Sequence, residues 1–147
     1  MRKRILTLAA LFSLAGCSLF GSSGPTSTVE RFISNAESGD VAGITKLFSQ
    51  KAIKEKGEVW IRANSQSFAD LSKSAQAAGA KMQMEKIKEN VNGDKATVSF
   101  LYRAAAKDIL AAFIFELSKE NGEWKIDDIH RRLAFVPLGR ASERNTV

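Results

Sequence analysis

The sequence predicts an α+β fold in which N-terminal helices pack on one face of a curved antiparallel sheet. Apolar residues recur at helical spacing up to Ala78, whereas beyond Met82 they alternate at a period of two. Two Asn-Gly pairs, beginning at Asn92 and Asn121, divide the alternating half and indicate hairpin turns. Helices followed by hairpin-linked strands are typical of α+β domains.

The first 16 residues have the pattern of a secretory signal peptide. Met1–Arg4 carries three cations, Ile5–Leu14 is an apolar run, and small residues precede Cys17. The apolar run is shorter than the roughly 20 residues that a membrane-spanning helix needs. We therefore predict that residues 1–16 are removed on export.

The segment Leu14-Ala15-Gly16-Cys17 resembles the lipobox of bacterial lipoproteins. This resemblance implies that Cys17 is acylated and becomes the first residue of a membrane-anchored protein. In enteric-type lipoproteins an Asp after the cysteine favours the inner membrane, so Ser18 implies the outer membrane, facing the periplasm. Residues 17–24 would form a tether with a reach under roughly 30 Å. The alternative is a chance cysteine beside an ordinary signal-peptidase site.

Charge and motifs exclude several classes of function. The full chain has 22 Lys and Arg against 16 Asp and Glu, and removal of residues 1–16 would leave 19 − 16 = +3. Its cations are interleaved with acids, so we expect no nucleic-acid partner. The sequence contains no phosphate-binding glycine loop, Cys-x-x-Cys or His-Glu-x-x-His motif, so we expect no cofactor and no metal site.

Three helices are predicted before the sheet. Ser27-Thr28-Val29-Glu30 has the spacing of a capping box, so the first helix should start there and end at Gly39. Asp40 should cap the second helix. We predict a loop over residues 51–58 and a third helix over Glu58–Ala78, whose apolar stripe includes Phe68 and Leu71.

Four strands are predicted after the helices. The first opens at Met82 with a break in alternation that indicates a bulge, and type I′ turns are expected at the Asn-Gly pairs. A less regular stretch has a predicted turn near Lys107-Asp108. We place the end of the folded domain at residue 130 and interpret residues 131–147 as a basic C-terminal tail.

The opening Pro25-Thr-Ser-Thr-Val-Glu-Arg-Phe-Ile and the strand segment Gly93-Asp-Lys-Ala-Thr-Val resemble small domains of the nuclear transport factor 2-like, or cystatin-like, superfamily. Gly39-Asp-Val-Ala-Gly-Ile and the segment from Leu117 to Ile126 are similar as well. The resemblance implies a cone-shaped domain over residues 25–130 with a pocket between sheet and helices. It implies no activity, because this fold carries many functions.

Six aromatic residues are candidates for lining that pocket: Trp60, Phe100, Tyr102, Phe113, Phe115 and Trp124. Aromatic side chains at strand or helix period can equally fill a core. Tyr102 could orient a ligand through its hydroxyl, or could be a core tyrosine.

Asp127, Asp128 and His130 form a polar cluster that could act as an oriented base or as part of a metal site, or could simply end a strand in solvent. Neighbours on a strand point to opposite faces and cannot all converge. We predict a non-catalytic, lipid-anchored module that binds an apolar small molecule, a lipid or an envelope protein. The alternative is an enzyme for a small hydrophobic substrate that uses Tyr102 and Asp128.

Overall fold

The computed structural model describes residues 24–77, 79, 82–104 and 109–135. The predicted signal peptide, Cys17, the turn near Lys107 and residues 136–147 lie outside this part of the chain. None of the helices in the described ranges is long and apolar enough to span a membrane.

Within these described ranges, four helices precede a four-stranded sheet, which confirms the predicted fold class. The helices are α1 (Pro25–Ser38), α2 (Val41–Thr45), α3 (Gln50–Lys56) and α4 (Glu58–Ala77). The strands are β1 (Met82–Asn92), β2 (Lys95–Ala104), β3 (Ile109–Glu120) and β4 (Glu123–Phe135). All neighbouring strands are antiparallel, in the order β1-β2-β3-β4.

Helix α1 is capped three residues earlier than the capping box predicts, since that box places the N-cap at Ser27. Its N-cap is Gly24 and Pro25 occupies the first turn, where a fixed φ and a missing N–H cost nothing. The hydroxyl of Thr28 instead donates to the carbonyl of Trp124, 3.2 Å away, and ties α1 to β4. The helix ends as predicted at Gly39, whose φ is 76°.

The predicted loop over residues 51–58 is wrong, because residues 50–56 form α3. The Ser49 side chain accepts a 3.0 Å hydrogen bond from the Ala52 N–H, and Ala52 is buried. Backbone hydrogen bonds of 2.8 and 2.9 Å link Ile126 to Leu47 and Ser49, so the start of α3 is fixed against β4. The mixed charges of this segment suggested a loop, although Ser49 caps the helix and Ala52 is buried. Asp40 caps α2 as predicted, accepting from the Gly43 N–H at 2.8 Å.

The strands confirm the bulge and both hairpins and correct one turn. The register of β1 shifts between Glu85 and Lys88. At the second hairpin Asn121 and Gly122 have φ of 51° and 84°, as a type I′ turn requires. At the first, Gly93 and Asp94 form the turn, with positive φ at the glycine alone.

Strand β4 continues five residues past residue 130, where the folded domain was predicted to end. Arg131 pairs with Phe113 and the ladder extends to Phe135. The basic residues at this end therefore belong to the sheet, because β3 offers partners along the whole of β4. This placement brings Arg131 onto the body of the domain.

The core lies between α1, α4 and the sheet. The ring of Phe32 meets Phe68 and Phe115 edge to face, at centroid distances of 5.1 and 5.2 Å. Phe100 stacks on Phe113 at 5.6 Å and on Phe115 at 5.7 Å. These ring contacts lie within the hydrophobic core cluster of the described residues.

Candidate functional site

The aromatic side chains of the sheet belong to the hydrophobic core of the described residues. Phe100, Phe113 and Phe115 are at most 5 % exposed, and Tyr102 is 9 % exposed. Trp124 is also buried, with the Lys119 ammonium 5.9 Å from its ring centroid. Five of the six aromatic candidates are thus packed within the described structure.

The sixth aromatic candidate, Trp60, lies at the surface and is 46 % exposed. It borders a groove of about 330 Å³ between α4 and β4, which we call the α4–β4 groove. The groove is lined by Phe48, Lys56, Trp60, Asn64, Ser67, Phe68, Leu71, Asp128, Ile129 and Arg131. Its volume is at the lower end of the range typical of small-molecule sites.

Helix α4 supplies one side of the groove. Trp60, Asn64, Phe68 and Leu71 follow one another at spacings of three or four, so they share one face of the helix. The buried stripe of α4 is instead Ile61, Ser65, Ala69 and Ser72. Leu71, predicted to belong to the apolar core stripe, is instead 48 % exposed at the groove.

Strand β4 supplies the opposite side of the groove. Ile129 is half-buried against the core, while Arg131 is exposed. Residues paired across an antiparallel ladder share a face, and Arg131 pairs with the buried Phe113. Arg131 thus lies on the helix-facing side of the sheet, beside the apolar residues of the groove.

An ion pair closes one end of the groove. The Lys56 ammonium contacts the Asp128 carboxylate and lies 5.0 Å from the centroid of the Trp60 ring. Burial opposes ionisation of Asp128. Hydrogen bonds from Lys56 and the Ile129 N–H, with the charges of Lys56 and His130, outweigh it and lower the pKa of Asp128. Asp128 is therefore an ionised anchor for Lys56 near neutral pH.

Asp127, Asp128 and His130 do not converge on one point. The Asp127 carboxylate accepts from the Ser118 hydroxyl at 2.8 Å and contacts the Lys95 ammonium at 3.1 Å. His130 Nε2 lies 3.1 Å from a Glu116 carboxylate oxygen. Within the described ranges, no group of three or more His, Cys, Asp or Glu is arranged to hold a metal ion.

Tyr102 lies away from the α4–β4 groove, which Asp128 lines. The Tyr102 hydroxyl is buried and forms no hydrogen bond of ordinary geometry with the described residues. Burial and the nearby Glu37 carboxylate raise the pKa of Tyr102, and the neighbouring Ser72 hydroxyl partly offsets this. The hypothetical catalytic pair of Tyr102 and Asp128 is therefore not assembled in this groove.

A second groove, of about 750 Å³, lies between α2, α3 and the β3–β4 hairpin. Charged side chains of both signs line it: Lys46, Arg62, Glu120, Glu123 and Lys125. The large exposed apolar side chains of the described domain are elsewhere. The α4–β4 groove, which contains two of them, is the better candidate for recognising an apolar molecule.

Sequence reasoning found Trp60 but missed Leu71 and Arg131 as members of the site. One signal was present in the sequence. Trp60 and Leu71 are large apolar residues, but neither belongs to the stripe that starts at Ile61 and continues through Ser65 and Ala69 at intervals of four residues. A large residue outside a small-residue stripe indicates an exposed apolar face. No local signal distinguished Arg131 from a solvated tail.

Comparison with known proteins identifies the family. The sequence model of a family described as a domain of unknown function (DUF4878) matches residues 17–127. No curated protein sequence matches the chain.

Solved structures share the fold at low sequence identity. A Shewanella frigidimarina protein provisionally called a ketosteroid isomerase has a TM-score of 0.59 at 14 % identity, covering 74 % of this chain and 94 % of its own. A Nostoc punctiforme protein of unknown function with a cystatin-like fold has a TM-score of 0.56 at 16 % identity, covering 74 % of this chain and 87 % of its own. A nuclear transport factor 2-like protein from Novosphingobium aromaticivorans has a TM-score of 0.54 at 17 % identity, covering 73 % of this chain and 77 % of its own.

Identities this low show a shared fold and carry no activity across. The family match, by contrast, spans most of the sequence, from Cys17 to Asp127. The chain therefore belongs to the family of the domain of unknown function DUF4878 and has the cystatin-like, nuclear transport factor 2-like fold.

Proposed function

We propose that this protein is a lipid-anchored envelope module that binds an apolar small molecule in the α4–β4 groove and catalyses no reaction. One observation carries the binding proposal. Trp60 and Leu71 are 46 % and 48 % exposed, and they line a groove that the half-buried Phe68 and Ile129 also line. Large apolar side chains around a concave site favour an apolar ligand.

The non-catalytic part of the proposal has two supports. Among the described residues that line the groove, Asp128 is the only one with a carboxylate. Its pKa is lowered and it contacts Lys56, so it is poorly suited to donate a proton near neutral pH. The Tyr102 hydroxyl is buried, and Tyr102 does not line the groove.

A titration with 1-decanol tests the binding proposal. We would use the chain from Ser18 to Val147, which contains every described element, and follow amide shifts by NMR. We expect saturable shifts at Asn64, Ser67 and Ile129. Shifts that are absent, or spread evenly over the surface, would contradict the proposal.

A matched pair of variants on α4 sharpens this test. Leu71→Ser should weaken decanol binding about tenfold, since the side chain lines the groove. Val59→Ser is the control, because Val59 is 85 % exposed on the same helix and does not line the groove. Equal losses in both variants would show that decanol binds without regard to the groove.

The anchoring part of the proposal rests on the lipobox resemblance at Cys17, and the family match that begins at the same residue supports it. Cys17→Ser should abolish metabolic labelling with a fatty acid and leave the signal peptide uncleaved. Ser18→Ala is the matched control and should retain both labelling and cleavage. Labelling that persists in Cys17→Ser would place the lipid elsewhere.

A further inference from the structure

The α4–β4 groove follows helix α4, and half of its ten lining residues are apolar. Trp60 and Leu71 are eleven residues apart on α4, which corresponds to about 16 Å along the helix axis. Phe68 and Ile129 lie in the same groove as these two side chains. The shape favours an extended chain over a compact molecule.

The charges that line the groove do not cancel. Among the described residues that line it, Lys56 and Arg131 are the cations and Asp128 is the acid, which gives 2 − 1 = +1. The Asp128 carboxylate contacts Lys56 and accepts from the Ile129 N–H at 2.8 Å, so its charge is matched by Lys56. Arg131 therefore supplies the excess positive charge of the groove lining.

The placement of Arg131 differs from that of an ordinary surface cation. It lies on the helix-facing side of β4, at the edge of an apolar surface, and not on the outer face of the sheet. A guanidinium offers a planar set of N–H donors that matches carboxylate and phosphate oxygens. An apolar floor with one such group at its edge complements a molecule with a chain and an anionic head.

We propose that the α4–β4 groove binds a single-chain amphipath with an anionic head group, the chain along Trp60 and Leu71 and the head on Arg131. This inference rests on the proposed function, which requires only that the groove take an apolar molecule. The inference adds that the head group of the ligand is negatively charged and that Arg131 contacts it. The head group could be the carboxylate of a fatty acid or the phosphate of a single-chain lipid.

Four probes with the same ten-carbon chain test the inference by NMR titration at low salt: decanoate, decyl phosphate, 1-decanol and decyltrimethylammonium. We expect at least one of the two anions to bind about tenfold more tightly than decanol, and the cation to bind more weakly than decanol. Whichever anion binds more tightly identifies the carboxylate or the phosphate source. Added NaCl should reduce the preference for the anion and leave decanol unchanged.

Variants of two adjacent arginines assign the preference to one residue. Arg131→Gln should remove the anion preference while decanol still binds, and Arg131→Lys should retain part of it. Arg132→Gln is the control, because Arg132 is also exposed but pairs with Ala112 on the opposite face of β4. Circular dichroism should show that all three variants remain folded.

The possible failures are distinguishable. If decanol and both anions bind equally, or if the preference survives in Arg131→Gln, the inference is wrong and the apolar groove stands. If no probe binds at all, both the inference and the proposed function are wrong.

Discussion

The sheet interior and the α4–β4 groove both contain aromatic side chains, but they bury them to very different degrees. Phe115 in the interior is fully buried and contacts Phe32 and Phe100, whereas Trp60 at the groove is 46 % exposed. Buried aromatics are explained by packing alone. An exposed tryptophan beside a concave apolar surface is not, and it is the better guide to function.

The largest expected effect is on stability, in a pair of truncations. Phe115→Ala should lower the free energy of unfolding by about 3–5 kcal/mol, since it leaves a cavity in the core. Trp60→Ala should lower it by no more than about 2 kcal/mol, because the side chain is about half exposed and loses only its remaining contacts. Urea denaturation of both variants measures the contrast, and similar losses would erase the distinction between core and groove.

Asp127 and Asp128 allow a second comparison between a buried and a more exposed side chain, with a smaller expected effect on stability. Asp127 is 7 % exposed and bonded to Ser118, whereas Asp128 is more open and paired with Lys56. Asp127→Asn should cost about 1–3 kcal/mol of stability, because it disturbs a buried charge-assisted contact. Asp128→Asn should cost no more than about 1 kcal/mol. Thermal unfolding of both variants at pH 7 decides the order, and a larger loss for Asp128→Asn would reverse the comparison.

Acid should weaken the fold through the same carboxylates. Burial opposes ionisation of Asp127, but hydrogen bonds from Ser49, Ser118 and Lys95 and the Lys95 charge lower its pKa below the ordinary 3.8. The unfolded state then binds the proton more readily, so stability is full above the ordinary pKa and is lost as pH falls toward the lowered one. Urea midpoints from pH 7 to pH 2.5 should fall, with a shallower fall in Asp127→Asn. Parallel curves would contradict the assignment.

The smallest effect is expected at Tyr102. Its buried hydroxyl forms no hydrogen bond of ordinary geometry in the described structure, so Tyr102→Phe should change stability by less than about 1 kcal/mol. Decanol affinity should be unchanged, because Tyr102 does not line the groove. An affinity loss of tenfold would restore Tyr102 as a ligand-orienting residue.

Sequence patterning predicted the fold more completely than the candidate site. The period-two alternation placed Phe100 and Tyr102 on one face, and the glycine and Asp40 signals located the ends of α1 and α2. These features are local, so they can be read from a few neighbouring residues. Helix α3 was missed because its stability comes from contacts with β4 that no local pattern contains.

The site was harder to predict because it forms between distant segments. Its lining comes from α4, from the last strand and from the segment that holds Phe48 and Lys56. Arg131 was not identified because the folded domain was predicted to end at residue 130, whereas β4 extends to Phe135. Aromatic content pointed to the sheet, where the rings turned out to be core. Exposure, which separates the two regions, is a tertiary property.

Intermolecular nuclear Overhauser effects between a bound decyl chain and the domain test directly whether the ligand lies in the α4–β4 groove. Our account predicts contacts from the chain protons to the Trp60 indole, Leu71 and Ile129, with none to Phe100 or Phe115. Contacts to Phe100 and Phe115 instead would show that the cone interior opens to admit the ligand, and would contradict the assignment of the site to the α4–β4 groove.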